Sequence, residues 1–537
     1  MIPASVLDPV TAVALDAEWL FGRLAPQSPY GEREARITRT FRVGEEAAAM
    51  AHARRIAGIA SKLTPACIDA VRSTLRRLPD IAATLARVAV GDSLEDPQAL
   101  EMLRFIDGLT EIATLLGENA ELPRLPSAAI EQLQSLFERG RVGTQAFYLD
   151  DSFDDELRAT RERFEERRAR FESSRGRLEG RVATALGASV RAQGEFIVMR
   201  DALPGTLPPG VHVVREAATY YLCELELDDE ARGRLVQRDE SAREVALAEE
   251  RVRAALAAQI RSCSAELARA TAALGEIDIL LAAARLSQAF ACSVPELSEG
   301  AAFTLEDARW PPLQERLEEQ GGAICPLSIH WSGAAVLTGP NMGGKSVALR
   351  TIGFTALCAM MGLPVPAKRA SLAIPPRVRW LGIGSDDEER GGLLSSFARE
   401  VVRVRDAFTA IEPGTLLLVD ELGRTTTPHE GFALLVALMQ SARSHGAHLF
   451  AATHLAGVAK AAGAQHFAVR GLRGIPVRPV TDDLDAALAA LARSMDYRID
   501  EAATDEARSS DALALAQLLG LDPEIIALAR GNLRSDK

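Results

Sequence analysis

The chain has 537 residues, of which 47% are hydrophobic, 5% aromatic and 25% charged, and its net charge is −13 at pH 7. This length allows three or four domains, and the composition is that of a helix-rich globular chain rather than a disordered one. The six cysteines are scattered without C-x-x-C spacing, which excludes a disulfide framework and a zinc site. The sequence has neither a secretory leader nor an apolar run near the roughly 18 residues of a membrane span. We therefore expect a cytoplasmic protein with no membrane partner.

The first part of the chain has helical periodicity. Residues 1–33 form an N-terminal segment, and residues 34–150 are helical in pattern. Within residues 151–195, the stretch from Asp154 to Leu186 is rich in alternating Arg and Glu and carries apolar residues at helical spacing. This pattern predicts a salt-bridged helix that packs one narrow apolar stripe against a partner.

A second long helix is predicted in residues 231–293. Apolar residues recur there at every third or fourth position from Val245 to Leu281, and no proline interrupts them. The pattern predicts one helix of about 50 residues and roughly 75 Å. Residues 294–320 then serve as a linker that returns the chain to the core.

Between the two long helices, residues 196–230 contain proline–glycine turns and two β-rich runs, Val211 to Val214 and Tyr220 to Leu225. They predict a small β insertion at the tip of a helical hairpin. Its basic residues are few, chiefly Arg200 and Arg215.

The charge is unevenly distributed along the chain. Residues 321–537 carry 22 basic and 22 acidic residues, so the whole excess of −13 lies in residues 1–320. Because non-specific affinity for duplex DNA comes mainly from Lys and Arg on phosphate, an acidic half binds DNA poorly unless its basic residues share one face.

A phosphate-binding motif follows the apolar run Ala334 to Leu337. Gly339 to Ser346 fits G-x-x-x-x-G-K-[ST], and a helix-permissive segment, Val347 to Leu357, follows it. The motif's glycines allow a tight turn whose N–H groups form an anion nest at a helix N-terminus. Lys345 would contact the β and γ phosphates, and the Ser346 hydroxyl would ligate Mg²⁺. The predicted nucleotide-binding residues here are Gly339, Pro340, Asn341, Met342, Gly343, Gly344, Lys345, Ser346 and Val347.

Two further apolar runs end in polar side chains. Leu416 to Val419 ends in Asp420 and Glu421, which suits a metal-binding carboxylate and a residue that orients the attacking water. His448 to Ala452 is followed by Thr453 and His454, again at the carboxyl end of a predicted strand, where open α/β sheets bind ligands. From spacing alone, His454 is either structural or catalytic.

Taken in order, these segments resemble the ATPase domain of the MutS family. The resemblance covers roughly residues 321–470 and rests on Thr338 to Ser346, Gly384 to Asp387, Ser395 to Phe397 with Glu400, Asp420 to Arg424 and Ala452 to His454. Thr425 departs from the family, which usually has Gly at that position, and Pro428 to Glu430 replaces its usual Thr-Tyr-Asp.

The resemblance implies an ATP- and Mg²⁺-dependent dimer with composite sites. Ser395 or Ser396 would act in trans on the partner's nucleotide, although the local sequence fits a plain helix N-cap equally well. Gly423 to Gly431 would lie at the dimer contact. His454 would sense the nucleotide near its γ phosphate, and Ile324 and Pro326 would contact the adenine.

The predicted fold is therefore multidomain: a helical core and lever domain with a small β clamp-like insertion, and an α/β ABC-type P-loop ATPase domain. The resemblance assigns residues 34–150 to the core, 151–195 and 231–293 to levers, 196–230 to the clamp, 321–480 to the ATPase domain and 481–537 to a helical dimerisation segment. It also implies a short member without the family's N-terminal mismatch-recognition and connector domains.

The predicted function is a nucleotide-gated clamp, a homodimer or a heterodimer with a related chain, that acts on DNA in mismatch repair or recombination. A protein-remodelling ATPase that acts on a partner enzyme, such as a cobalamin-dependent aminomutase, is the alternative, and the acidic arms suit it at least as well. A passive nucleotide-dependent scaffold is a third possibility, which the Asp420–Glu421 pair argues against.

Overall fold

A computed structural model describes residues 6–37, 40–126, 128–143, 146–187, 190, 195–202, 207–300, 302–340, 343–382, 396–424, 426–472, 495–502, 513, 516–517 and 521–535. The chain divides into two compact units. The first comprises Met1–Arg77, Ile112–Arg124 and Ala272–Lys537, and the second comprises Leu78–Glu111 and Leu125–Thr271. The structure is a mixed one, with long helices and separate β-sheets.

The helices, in chain order, are α1 (Pro9–Ala14), α2 (Ala17–Arg23), α3 (Pro29–Ile37), α4 (Glu46–Lys62), α5 (Pro65–Arg77), α6 (Ala82–Val90), α7 (Asp96–Leu116), α8 (Ala128–Glu138), α9 (Asp155–Leu186), α10 (Asp229–Ser262), α11 (Ser264–Ala289), α12 (Pro311–Glu319), α13 (Lys345–Met360), α14 (Ser396–Thr409), α15 (Pro428–Ser444), α16 (Val458–Ala462) and α17 (Pro523–Ser535). The strands are β1 (Arg141–Val142), β2 (Ala146–Phe147), β3 (Glu195–Met199), β4 (Val211–Glu216), β5 (Tyr220–Leu225), β6 (Glu296–Leu297), β7 (Phe303–Ala308), β8 (Leu327–Trp331), β9 (Ala334–Thr338), β10 (Arg369–Leu372), β11 (Val378–Gly382), β12 (Leu416–Asp420), β13 (His448–Ala452), β14 (Gln465–Leu472) and β15 (Met495–Glu501). Among the described residues, no helix combines the length and apolarity needed to cross a membrane.

A six-stranded sheet organises the first unit, in the order β11-β12-β13-β9-β14-β15. Neighbouring strands from β11 to β14 pair in parallel, and β15 pairs antiparallel with β14. The central strands are continuous apolar runs because helices cover a parallel sheet on both faces. The parallel arrangement brings the carboxyl ends of β9, β12 and β13 to one edge, where the predicted polar residues follow.

A second sheet in the first unit has the order β6-β10-β7-β8. Two of its strands, β6 and β7, and the helix α12 come from residues 294–320, which we expected to form a linker. β6 is only two residues long and gains its stability by pairing with β10, which lies more than 70 residues later in the chain. Such a pairing leaves no local periodic signal.

The N-terminal segment packs against the edge strand β11. The Val378 N–H donates to the Val6 carbonyl at 3.2 Å, and the Trp380 N–H donates to the Thr11 hydroxyl at 2.9 Å. A Cβ atom at Gly353, on α13, would lie 2.4 Å from a methyl group of Leu15. The segment therefore protects the edge of the large sheet and packs on α13, the helix that follows the glycine-rich loop.

The second unit contains the helix pair α9 and α10. Asp154 caps α9 by accepting from the Glu156 N–H at 2.7 Å, and Asp228 caps α10 by accepting from the Ala231 N–H at 2.9 Å. Arg161 pairs with Glu249, and Arg181 pairs with Asp228. Residue numbers increase along α9 while the numbers of their partners decrease along α10, so the two helices are antiparallel.

A three-stranded antiparallel sheet, β3-β5-β4, connects α9 to α10. Its inner face packs Phe196, Val198 and Cys223 on Leu178 and Val182 of α9. The sheet agrees with the predicted β insertion, and β3 is a third strand that the two predicted runs did not include.

The prediction of one continuous second helix is wrong at Cys263. There the backbone leaves helical geometry, with φ −98° and ψ 10°, and α10 ends and α11 begins. The Ser262 hydroxyl donates to the Gln259 carbonyl at 2.7 Å and competes for that acceptor with the Cys263 N–H, 3.3 Å away. This local competition interrupts the helix although neither proline nor glycine is present.

The prediction of a wholly helical segment over residues 481–537 is also wrong in part. Residues 495–501 form β15, an edge strand of the large sheet, while α17 agrees with the helical prediction. The charged residues of β15 hid the strand in the sequence, and in the structure they form ion pairs at the sheet edge. Arg470 contacts Asp500 at 2.6 Å, and Arg498 contacts Asp496 at 2.8 Å.

Candidate functional site

The described residues between β9 and α13 approach one another closely. The Gly343 N–H donates to the Pro340 carbonyl at 3.0 Å, and a Cβ atom at Gly343 would lie 2.8 Å from that oxygen. Gly344 has φ +81° and immediately precedes the 16-residue helix α13, so the helix N-terminus points its free N–H groups at the loop. Asn341 and Met342 lie outside the described residues.

Lys345 holds this loop from within. Its side chain is only 5% exposed, and its Nζ donates to the carbonyls of Gly339 and Pro340 at 3.0 and 3.1 Å. The same Nζ lies 3.4 Å from Oε1 of Glu421. A buried cation therefore lies at the centre of the loop, already held by three oxygen atoms.

Asp420 and Ser346 come together from β12 and α13. The Ser346 hydroxyl donates to Oδ1 of Asp420 at 3.0 Å. Burial raises the pKa of Asp420, while the hydrogen bond from Ser346 and the charges of Arg350 and Lys345 act in the opposite direction. Two hard oxygen donors thus lie beside the loop, which is the ligand chemistry that Mg²⁺ prefers.

These donors fit Mg²⁺ in another respect. Within the described part of the chain, no cluster of three or more His, Cys, Asp or Glu side chains could hold a metal by itself. Mg²⁺ keeps several waters and binds through one or two protein oxygens together with substrate phosphates, so a dedicated cage is not required.

Glu421 adopts an unusual backbone conformation at the end of β12. Its φ is +50°, in the left-handed region, and its N–H donates to the Ala452 carbonyl at 3.0 Å. Its carboxylate lies between Lys345 and Arg424, whose NH1 atom is 3.6 Å from Oε2. A strained residue that is fixed by a neighbouring strand and faces a phosphate loop is typical of a functional site.

A cavity of about 950 Å³ opens beside the loop. It is lined by Leu313, Leu317, Gly322, Ala323, Ile324, Cys325, Pro326, Leu327, Gly343, Gly344, Lys345, Ser346, Val347, Ala348, Thr351, Asp420, Glu421, Arg424, Tyr497 and Ile499. The predicted residues Ile324, Pro326 and Val347 therefore line the same cavity as the loop and the carboxylates. The volume is in the range of small-molecule sites.

Sequence reasoning missed the contribution of β15 to this cavity. Tyr497 lies against Gly344, where an added Cβ atom would be 3.3 Å from its ring, and Ile499 lines the same wall. Burial raises the pKa of the Tyr497 phenol. The alternation of Tyr497 and Ile499 with charged residues was the available signal, because this is the pattern of a half-buried strand.

His454 is placed differently from the other predicted residues. Its side chain is exposed, and it is not among the described residues that line the cavity. Its neighbour Thr453 is buried and donates its N–H to the Leu337 carbonyl at 3.0 Å. The end of β13 is thus tied to β9, while the His454 ring points to solvent.

The predicted trans residues can be located only in part. Ser395 lies outside the described residues, and Ser396 begins α14. One turn later, the buried Glu400 accepts from the Gly423 N–H at 3.1 Å. Gly423 also approaches Gly431 closely, since a Cβ atom at Gly423 would lie 2.9 Å from the Gly431 Cα. Gly423 and Gly431 therefore lie close together, and Gly423 is hydrogen-bonded to α14.

The described residues define a class of protein: an α/β fold with a glycine-rich loop after β9 and two carboxylates at the end of β12. Residues 335–535 match the family model for MutS domain V. Over these residues the chain is therefore similar to domain V of the MutS family.

Three relatives illustrate the extent of the similarity. The chain is 32% identical over 256 residues to an Endonuclease MutS2 of Solidesulfovibrio magneticus, covering 48% of this chain and 33% of the relative. It is 27% identical over 419 residues to a DNA mismatch repair protein MutS of Granulibacter bethesdensis, covering 73% and 44%. It is 25% identical over 485 residues to a DNA mismatch repair protein MutS of Shouchella clausii, covering 87% and 53%. The chain thus matches between a third and about half of the length of these relatives.

Proposed function

We propose that this chain is an ATP hydrolase that uses Mg²⁺ and couples nucleotide turnover to an action on DNA. The observation that supports it is the convergence of Lys345, Ser346, Asp420 and Glu421 within 3.4 Å contacts beside one cavity. The names of the matched relatives, a DNA mismatch repair protein and an endonuclease, favour DNA as the target.

Each side chain has a role in this proposal. The loop N–H groups and Lys345 bind the β and γ phosphates, and Ser346 and Asp420 hold Mg²⁺, which neutralises phosphate charge when bound. Glu421 orients a water molecule and accepts its proton as the water attacks the γ phosphate. The adenine base of ATP contacts the part of the cavity that Ile324, Pro326 and Tyr497 line.

The proposal includes a dimer with composite sites. Ser395 or Ser396, at the start of α14, contacts the partner's nucleotide, and the segment from Gly423 to Gly431 forms part of the dimer contact. The exposure of His454 suits a residue that responds to the nucleotide or the partner only after the site closes. The helices α9 and α10 act as the levers, residues 321–480 and β15 form the ATPase domain, and the dimer is built from two copies or from this chain and a related one.

Solution mass and phosphate release test this proposal directly. We expect ATP with Mg²⁺ to double the mass measured by light scattering, and duplex, mismatched or branched DNA to change the rate of phosphate release at a stated salt concentration. A chain that stays monomeric with saturating ATP would contradict a composite site built from two copies of this chain. A chain that releases no phosphate under any of these conditions would contradict the hydrolase.

A second candidate, an ATPase that remodels a partner protein, is favoured by the charges of the helical arms. Arginines near the β insertion are paired with carboxylates of the same arms, including Arg177 with Glu230 and Arg181 with Asp228. A paired arginine contributes less to phosphate binding than a free one, which weakens the electrostatic basis for DNA contact. ATP turnover that is insensitive to every DNA at low salt would favour this candidate.

Replacing Tyr497 with Ala is expected to weaken ATP, ADP and AMP binding by a similar factor. An aromatic ring stacked on a base contributes about 1–3 kcal/mol, so the loss is roughly five- to a hundredfold. Tyr497→Phe keeps the ring and is the matched control, with affinities near those of the wild type. Titration with fluorescent nucleotides measures both variants, and a loss confined to ATP would place Tyr497 at the phosphates instead.

Replacing Asp420 with Asn is expected to have opposite effects on stability and on metal use. Burial raises the pKa of Asp420, so the folded state favours the protonated form. The stabilisation is present below the unfolded pKa, about 3.9, and is lost as the pH rises through the folded pKa. Asn should therefore raise the Tm of the nucleotide-free protein at pH 7.5, and this gain should vanish near pH 4.

The same substitution should raise the Mg²⁺ concentration for half-maximal turnover by about ten- to a hundredfold. Asp406→Asn, on the exposed face of α14 where Asp406 pairs with Arg405, changes the charge equally and should alter neither quantity. Thermal melts across a pH series and magnesium titrations of phosphate release measure the two effects. An unchanged magnesium requirement would remove Asp420 from the metal site.

A further inference from the structure

The three-stranded sheet at the end of α9 and α10 has one face that is not used in its own core. β3 alternates strictly, with Phe196 and Val198 buried and Ile197 and Met199 exposed. Met199 pairs with Tyr220, and Ile197 pairs with Leu222, so these four side chains share the face opposite the core. We call this surface the outer face.

The outer face is apolar where a solvent-facing sheet would be polar. Ile197 is 56% exposed and Met199 is 54% exposed. The register of β4 shifts between Val213 and Arg215, and the intervening Val214 is 46% exposed. Tyr220 and Leu222 are partly buried beside them. Contiguous exposed apolar side chains at the tip of two long helices indicate a contact surface, because isolated ones would need no explanation.

The charges around this surface are mostly negative. Residues 195–227 contain two basic residues, Arg200 and Arg215, and five acidic ones, Glu195, Asp201, Glu216, Glu224 and Glu226. Glu195 and Glu224 pair directly across β3 and β5 on the outer face itself, and Arg215, which pairs with Leu222, is the basic residue on that face. Arg200 is ion-paired with Glu216 and stacks on the ring of Tyr221 at 4.7 Å. Its charge is therefore already compensated within the sheet.

We propose that the outer face binds a protein whose contacting surface is apolar and flanked by lysine or arginine. The exposed Ile197 and Met199 supply the apolar contact, and the facing Glu195 and Glu224 select a basic rim. DNA is disfavoured because its phosphates would meet carboxylates. A second copy of the same face is disfavoured because it would add two more carboxylates, its own Glu195 and Glu224, and only one further arginine to the contact. This surface goes beyond the proposed hydrolase and does not depend on bound nucleotide.

A double variant, Ile197→Glu with Met199→Glu, separates apolar docking from simple charge attraction. The probe is a labelled amphipathic helical peptide with a leucine face and lysine flanks, and its counterpart carries glutamate flanks. The wild-type chain should bind the lysine peptide and not the glutamate peptide. The double variant is more acidic, so attraction by charge alone would tighten binding, whereas docking on the outer face predicts a loss of about tenfold or more.

Leu247→Glu is the matched control. Leu247 is 66% exposed on α10, in the same unit, and lies about 27 Å along the helix from its start at Asp229. This variant should bind the lysine peptide like the wild type, and unchanged melting of all the variants would exclude unfolding.

Three results would overturn the proposal. The first is equal or tighter binding of the lysine peptide by the double variant. The second is affinity of the wild-type chain for a labelled homoduplex that the double variant loses, which would assign the face to DNA. The third is self-association in sedimentation that the double variant abolishes, which would assign it to a second copy. A photo-crosslinker at position 197 in cells should label another protein, and that protein, identified and purified, should bind the wild-type chain and not the double variant.

Discussion

Replacing Glu421 with Gln should stop ATP turnover and leave ATP binding intact. The backbone of Glu421 has a positive φ at the end of β12, and its N–H donates a hydrogen bond to the Ala452 carbonyl. These two features fix the position of the carboxylate. Gln keeps the shape of the side chain but cannot accept the proton of the attacking water. Loss of such a general base lowers kcat by roughly 10²–10⁴-fold.

ATP binding should survive because Lys345 keeps two contacts in the loop besides the one with Glu421. The Lys345 ammonium also donates to the carbonyls of Gly339 and Pro340. The phosphate-binding geometry therefore persists without the carboxylate charge. Single-turnover phosphate release and equilibrium binding of labelled ATP separate the two properties. The variant should also accumulate the ATP-bound dimer, since it binds ATP without consuming it.

Glu412→Gln is the control for this prediction. Glu412 precedes the same strand at its other end, where it pairs with Arg377 on the surface. The substitution changes the charge by the same amount, and its kcat should match that of the wild type. If both variants lost activity equally, the effect would come from net charge and not from the position of Glu421.

Much of this site could be predicted from the sequence because its signals are local. The loop requires glycine at close backbone approaches, as at Gly343, and its lysine and serine follow at fixed spacing. Buried parallel strands are short continuous apolar runs, so β9, β12 and β13 could be read directly. Since the carboxyl ends of parallel strands meet at one edge, the runs place Asp420 at the same edge as Ser346, but not the strand order, in which β13 lies between β9 and β12.

The predictions that failed concern segments whose structure depends on residues distant in the chain, or on a side chain that competes for a backbone hydrogen bond. β15 carries charges whose partners, such as Arg470 for Asp500, are on a strand about 30 residues earlier. The interruption at Cys263 comes from one hydroxyl. The packing of the N-terminal segment on β11 involves residues that are more than 360 positions apart, Thr11 and Trp380. The alternation in β15 is a short periodic signal that these charges obscure, whereas the interruption at Cys263 and the N-terminal packing have no periodic signature.

His454 shows a different limit of sequence reasoning. It follows a buried strand in the same way as Asp420 does, and the strand-end argument applies equally to both. The structure separates them because Asp420 receives a hydrogen bond from Ser346, whereas the His454 side chain is exposed to solvent. A position at the end of a strand therefore predicts proximity to the site but not the direction of the side chain.

Replacing Lys345 with Met should weaken ATP and ADP binding and leave AMP binding nearly unchanged. Lys345 is nearly fully buried, and Met fills a similar volume without the ammonium. Removing one partner of a buried, hydrogen-bonded charge contact costs about 2–5 kcal/mol, which corresponds to roughly thirty- to several thousandfold in affinity. The loss should depend on the β and γ phosphates, since these are the groups that Lys345 would contact.

The free energy of unfolding without nucleotide should change much less than the affinity for ATP. Met removes a cation whose burial is costly, and Glu421 keeps Arg424 as a neighbouring cation at 3.6 Å. The rise in Tm that ATP produces in the wild type should therefore disappear while the Tm without ATP stays close to the wild-type value. Lys368→Met, which removes an exposed cation paired with Glu306, should keep the full ATP-induced rise. Equal loss of AMP and ATP affinity in Lys345→Met would mean that the lysine supports the pocket as a whole. Together with the uniform loss expected for Tyr497→Ala, the two patterns assign one wall of the cavity to the base and the other to the phosphates.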